Sequence, residues 1–277
     1  MSRSQEPAEN DSAKPARPRK AREPQPRPRV LDSLEGSAGQ QEPHPPAPPA
    51  ESAELTAAHY THPVRRLARR VAQTVFFRGM VNRTITRTNL VDRGANGVKG
   101  TGVVVANHSS HLDAPLVMSG VPHYISRDLA TGVAADYFFT AWHKKFFTQL
   151  VFNAFPVDRR GEGANRGLSK KLLAAGVPLL IFPEGTRSKT GKMAPFQIGA
   201  ASLALSTQVP VVPVALIGAH EAMPRGANWP RRGRPPVVVA VGAPLRARSN
   251  ENAIGFNERI EAAVRALYAA NRHHIRD

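Results

Sequence analysis

The 277-residue chain contains no cysteine. That excludes disulfides and thiolate metal sites, and it fits a reducing compartment. No uncharged apolar run approaches the ~18–20 residues that cross a bilayer, so any membrane would be met from one side. No apolar segment follows the early basic residues, which argues against a signal peptide. Acidic residues are scarce as well, with 21 Asp and Glu against 38 Lys and Arg, a formal charge of +17. There is no internal repeat.

The first 50 residues hold 11 of the 25 prolines and no aromatic residue. Such a segment buries too little apolar surface to offset its backbone entropy, and a disordered tail is predicted over 1–58. Its 8 basic and 7 acidic side chains nearly cancel, so a charge of +16 belongs to the rest of the chain. That excess calls for an anionic partner: nucleic acid, a phospholipid surface, a phosphorylated substrate or an acidic carrier protein.

Residues 59–84 are read as a basic amphipathic helix, centred on "HPVRRLARRVAQTVFFRGMV" (62–81). Val64, Leu67, Val71 and Val75 share one face, and Arg65, Arg66, Arg69 and Arg70 the other. Such a helix lies in the headgroup region of an anionic membrane, or it covers a core with its stripe and solvates its arginines. From residue 85 to 277, short apolar runs alternate with helical patterns. Strands are predicted at 102–106, 123–126, 154–157, 178–182, 211–216 and 236–242, and helices near 114–120, 134–150, 163–176, 197–207 and 254–271. This pattern is a single α/β domain whose sheet is largely parallel or mixed and flanked by helices.

Two polar clusters follow strands directly, where α/β sheets gather function. In "NHSSHLD" (107–113) the chain leaves a strand and enters a helix at Asp113-Ala114-Pro115. Asp113 is expected at or near the N-cap, with His108 on a loop that folds back to it. A carboxylate on one ring nitrogen fixes the tautomer and leaves the other nitrogen to accept a proton. The rival readings are a plain helix cap, or a zinc site made by His108, His111 and Asp113. No further cluster completes such a site, so no metal is expected. A serine hydrolase is disfavoured, since the chain has no G-x-S-x-G elbow. In "FPEGTRS" (182–188), Gly185 admits backbone to a ligand, Thr186 and Ser188 offer hydroxyls, and Arg187 has the fork suited to phosphate. Glu184 can accept from a hydroxyl or hold the arginine. "FPVDRRG" (155–161) brings Asp158, Arg159 and Arg160 from another strand end.

Together these blocks resemble the glycerophospholipid acyltransferase family, in particular its bacterial lysophosphatidate acyltransferases, over roughly residues 85–245. "NHSSHLD" is similar to the family's N-H-x4-D block and "FPEGTRS" to the block that binds glycerol phosphate. "FPVDR" resembles the block that carries a phosphate-contacting arginine, and "VPVVPVAL" (209–216) an apolar strand near the acyl group. The resemblance implies transfer of a fatty acyl group from acyl-CoA or acyl carrier protein to the hydroxyl of lysophosphatidate, giving phosphatidate, without any other cofactor. It implies His108 as base, Asp113 as its orienting group, and Arg159, Glu184, Gly185, Thr186 and Arg187 as the acceptor site. Direct attack needs no acyl-enzyme, and backbone amides near the start of the 114–120 helix are expected to face the oxyanion. The chain departs from the family at Asn153, often glycine, and at Gln197, often lysine. Six of the eleven phenylalanines fall in 136–155, as core or as a wall for the acyl chain.

The expected partners are thus a lysophospholipid acceptor, an acyl thioester and an anionic membrane, with the enzyme peripheral on the cytoplasmic face of the cell membrane. Another lysolipid or an amino-acid lipid is the alternative acceptor. A basic nucleic-acid-binding protein would explain the charge but leave both clusters idle, and nucleic acid is not an expected partner.

Overall fold

Val103, Val104, Val105 and Ala106 offer an apolar side chain to both faces of a sheet, and in the computed structural model both faces are covered. The structure describes residues 60–75, 87–92, 101–134, 150–157 and 167–275. In chain order the elements are α1 (Pro63–Gln73), β1 (Arg87–Asp92), β2 (Val103–Ala106), α2 (Asp113–Gly120), α3 (His123–Ser126), β3 (Ala130–Ala134) and β4 (Phe155–Val157). There follow α4 (Leu168–Ala174), β5 (Leu179–Ile181), α5 (Gly199–Thr207), β6 (Val211–Ile217), α6 (Ala219–Ala222), β7 (Pro236–Val241) and α7 (Ala253–Asn271). The strands form one sheet in the order β1-β7-β6-β2-β5-β3-β4. All neighbours pair in parallel except β6 and β7, so the sheet is mixed and mostly parallel.

Strand residues alternate between two cores, as the two-residue period requires. Val104, Leu180, Val214 and Val239 pack under α2 and α3 with Leu116, Val117 and Ile125. Val103, Leu179, Ala215 and Val238 pack against α4, α5 and α7 through Leu172, Ala201, Phe256 and Ile260. Helix α7 is capped by Asn252, whose side chain accepts from the Gly255 amide at 2.8 Å.

Three expectations change. Residues 123–126 form not a strand but the single turn α3, entered from the extended Pro122, with Ile125 buried and Tyr124 half-exposed. Four residues are too few to set a period, so the pattern does not separate a strand from a helical turn here. The strand in that region is β3, whose Ala-Thr-Gly-Val-Ala composition carries little β signal. It is squeezed between β4 and β5, and a Cβ on Gly132 would stand 2.8 Å from Val157 Cγ2. Strand β1 was likewise unexpected. Most of the predicted 134–150 helix lies outside the described residues, as does the 1–58 tail.

Helix α1 departs most. Its stripe of Val64, Leu67, Val71 and Val75 is 57–68% exposed, while Arg69 is 3% exposed. Of the four arginines, Arg69 is buried against the fold, Arg66 is partly exposed, and Arg65 and Arg70 are exposed. Arg66 grips Asp128 with two bonds of 2.5 and 2.8 Å, and Arg70 donates to His123 Nε2 at 2.7 Å. Arg69 donates to the carbonyls of Tyr60 and Arg127 and, at 2.7 Å, to Asn153 Oδ1. Burial pulls its pKa down to about 10, against the opposing pull of Asp128. Asn153 stands at φ +49°, a left-handed conformation in which glycine is at ease and asparagine is tolerated. Asparagine adds an amide that ties this segment to α1 and, through its Nδ2, to the Asp128 carbonyl.

Candidate active site

The chain leaves β2 at Asn107, whose buried side chain imitates a strand neighbour. Its Oδ1 accepts from Leu216 N at 2.7 Å, and its Nδ2 donates to Leu216 O at 2.9 Å. That brace fixes the departure point of the loop against β6. The next residue, His108, turns its Nδ1 to Asp113 Oδ2 at 2.8 Å.

Asp113 is the first residue of α2 and does not cap it; Leu112 stands at the cap position. Its carboxylate instead points back into the loop. Oδ2 also accepts from the amides of Ser109 and Ser110 at 2.6 and 2.8 Å. Asp113 is fully buried, and its Oδ1 has no hydrogen-bond partner among the described residues. With two amides donating to Oδ2, the carboxylate accepts the third bond too, so the imidazole carries its proton on Nδ1. Nε2 is then left as the basic nitrogen.

Glu184, on the turn after β5, holds the same loop from the other side. Its Oε1 accepts from His108 N at 2.7 Å and its Oε2 from Ala194 N at 2.8 Å. Both oxygens thus serve backbone amides rather than facing open space. Burial raises its pKa, and the two amide bonds oppose that rise. Ser188 N donates to His108 O at 2.8 Å, and the Phe182 ring stacks on the imidazole with centroids 4.1 Å apart. Two loops from adjacent strands are therefore stitched together around one histidine.

His108 lies at the mouth of a cavity of about 680 Å³. Its lining includes the polar Thr186, Arg187 and Gln197, with Gly185, and the apolar Val133, Phe152, Val157, Ile181 and Leu203. Gly185 has φ +71°, and a Cβ there would lie 2.7 Å from Gln197 Nε2, so both backbone and space demand glycine. His111 reaches the surface beside this mouth. The atoms packed round its ring, and after them the Arg187 cation, lower its pKa to about 4, so it is neutral at physiological pH.

Of the residues expected from sequence, the structure brings His108, Asp113 and Glu184 into one bonded unit and sets Gly185, Thr186 and Arg187 around the cavity. Arg159 lies outside the described residues. Of the amides near the start of α2, those of Ser109 and Ser110 are held by Asp113, and that of Leu112 by Ser110 Oγ. Sequence reasoning missed Asn107 as a brace and Phe182 as a stacking partner, though both adjoin the motifs. Among the described residues no three His, Asp or Glu side chains converge as a metal site. A base on a cavity that apolar side chains and an arginine also line can take a proton from a hydroxyl whose molecule carries an anion and whose partner is apolar.

The sequence model of the Acyltransferase family matches residues 69–217. The chain is similar to a 1-acyl-sn-glycerol-3-phosphate acyltransferase of Chlamydomonas reinhardtii, 43% identical over 153 residues, which cover 54% of this chain and 44% of that protein. It is 29% identical over 179 residues to the enzyme of that name from Cocos nucifera, covering 62% and 53%. The chain spans about half the length of these curated relatives. Its fold is similar to the crystal structure of the 1-acyl-sn-glycerophosphate acyltransferase of Thermotoga maritima, with a TM-score of 0.57 and 24% identity over 73% of this chain and 79% of that one.

Proposed function

Since the chain belongs to the Acyltransferase family, we propose that it moves a fatty acyl group from a thioester donor, acyl-CoA or acyl carrier protein, to the free hydroxyl of lysophosphatidate. The observation that carries this is the His108–Asp113 pair, with His108 lining a cavity that Arg187 and several apolar side chains also line. His108 Nε2 takes the acceptor's proton as its oxygen attacks the thioester carbonyl; the C–S bond breaks and the thiolate leaves to be protonated. Asp113 orients the ring and stabilises the imidazolium. Arg187, joined by Arg159, holds the acceptor phosphate, with Gly185 and Thr186 shaping the approach. Glu184 keeps His108 in place through its backbone. The names of the relatives support lysophosphatidate as acceptor.

The enzyme works at a membrane surface, on the cytoplasmic side. No helix among the described residues is long and apolar enough to cross a bilayer. Helix α1 instead presents its apolar stripe outward, and burying that stripe in lipid would remove it from water. Incubating the purified protein with a panel of lysolipid acceptors and both donor types, with products read by mass spectrometry, tests the reaction. Lysophosphatidate should be acylated fastest; acylation of none of the panel would refute it.

A further inference from the structure

The loop between α6 and β7, residues 223–235, has no part in the chemistry above. Between Glu221 and Glu251 the chain carries six arginines and no acidic residue. Four of them, Arg225, Arg231, Arg232 and Arg234, lie exposed on this loop. With them stands Trp229, 56% exposed. Arg225, Arg231 and Arg232 form no ion pair among the described residues. An exposed indole and exposed arginines on one loop are a pairing that suits the interface of an anionic bilayer.

The loop is fixed to the rim of the cavity. Ser110 Oγ donates to Met223 O at 2.7 Å, and Arg225 Nη1 to Arg187 O at 3.3 Å. Arg231 N closes the loop's far side on Ala222 O at 2.7 Å. Ala227 packs on the same face of the sheet as Ala72 of α1, within one hydrophobic cluster. Loop and helix are thus two rigidly held features on one layer of the molecule. A single helix laid in a surface fixes depth but leaves the protein free to roll about the helix axis. A second contact, tied to the cavity rim, removes that freedom.

We infer that the 223–235 loop is a second membrane contact, in which Trp229 enters the headgroup region of an anionic bilayer and Arg225, Arg231 and Arg232 meet phosphates, turning the cavity mouth toward the lipid. This rests on the membrane contact proposed for α1. Nucleic acid is the poorer occupant, because the same layer presents the apolar stripe of α1, which a polyphosphate would not cover.

The chain has two tryptophans, so Trp142→Phe leaves Trp229 as the sole reporter. The full-length variant is mixed with phosphatidylcholine–phosphatidylglycerol vesicles, with and without brominated acyl chains, and binding is followed in parallel by flotation. Trp229 emission should shift to the blue and be quenched, most by bromines nearest the headgroup. Arg231→Gln with Arg232→Gln should lower partitioning by about 10–30-fold. Flotation without quenching overturns the inference and spares the α1 contact; no flotation of the parent protein overturns both. Emission that answers to acidic carrier protein or RNA but not to vesicles also overturns it. Should Trp142→Phe fail to fold, the difference between the parent and Trp229→Phe reads the same residue.

Discussion

Removing the His108 imidazole takes away the base but disturbs little packing, since the ring is partly exposed and stacks only on Phe182. His108→Ala should lower turnover by about 10²–10⁴ in a protein that still folds, with at most a modest fall in melting temperature as the buried Asp113 loses one of its three donors. Equal activity in a folded variant would rule out the base. Asp113→Asn should act differently, because its Oδ2 gathers three donors in a buried site. It should cost about 1–3 kcal/mol of stability besides rate, visible as a lowered melting temperature. Arg187→Lys keeps the charge and loses the fork, so the acceptor KM should rise while the donor KM stays. The reverse pattern would show the pocket was assigned backwards. His111 gives a pH test. Its depressed pKa keeps it neutral through pH 5–8, so in an NMR titration its ring should change only near pH 4. The neutral form is the one the fold favours. Any stability it lends is therefore present above the unfolded pKa of about 6.5 and lost as pH falls toward 4.

Among elements, α1 was half legible. Its amphipathic pattern reads plainly from Val64, Leu67, Val71 and Val75, but periodicity does not say which face is turned inward. The structure turns Arg66 and Arg69 toward the fold, where Asp128, the Arg127 carbonyl and Asn153 accept from them, and leaves Arg65 and Arg70 exposed. Those partners lie about 60 to 85 residues away, beyond any local pattern. Replacing Arg65, Arg66, Arg69 and Arg70 together would therefore undo docking rather than report on headgroups. Arg69→Met alone should lower stability by about 1–3 kcal/mol, as buried acceptors lose their donor. Leu67→Ser with Val71→Ser, on the exposed stripe, should leave thermal stability within about 0.5 kcal/mol. The same pair should weaken vesicle flotation at least tenfold; unchanged flotation would move the membrane contact elsewhere. The catalytic loop was more legible, since His108 and Asp113 are near in sequence. Glu184 was not: its type suggested a ligand contact, and only the fold reveals that both oxygens are spent on amides.

At the scale of the molecule, the α/β class and five of the strands follow from unbroken apolar runs, which only a doubly covered sheet can bury. Strands β1 and β3 escaped because Arg-Thr-Asn-Leu-Val-Asp and Ala-Thr-Gly-Val-Ala owe their conformation to neighbours, not to propensity. Net charge acts at this scale too. With +16 beyond residue 50, binding to anionic vesicles should fall as salt rises from 50 to 500 mM, and salt-independent flotation would deny the charge a role. The pairing of β1 with β7 has a further consequence, one of time. Residues 87–92 lie alongside 236–241, so during synthesis at ~5–20 residues per second the edge strand waits roughly 7–30 s for its partner to be made. Every other described strand finds a neighbour sooner. The growing chain thus carries β1 without its partner until residues 236–241 have been made, and the described sheet is complete only then.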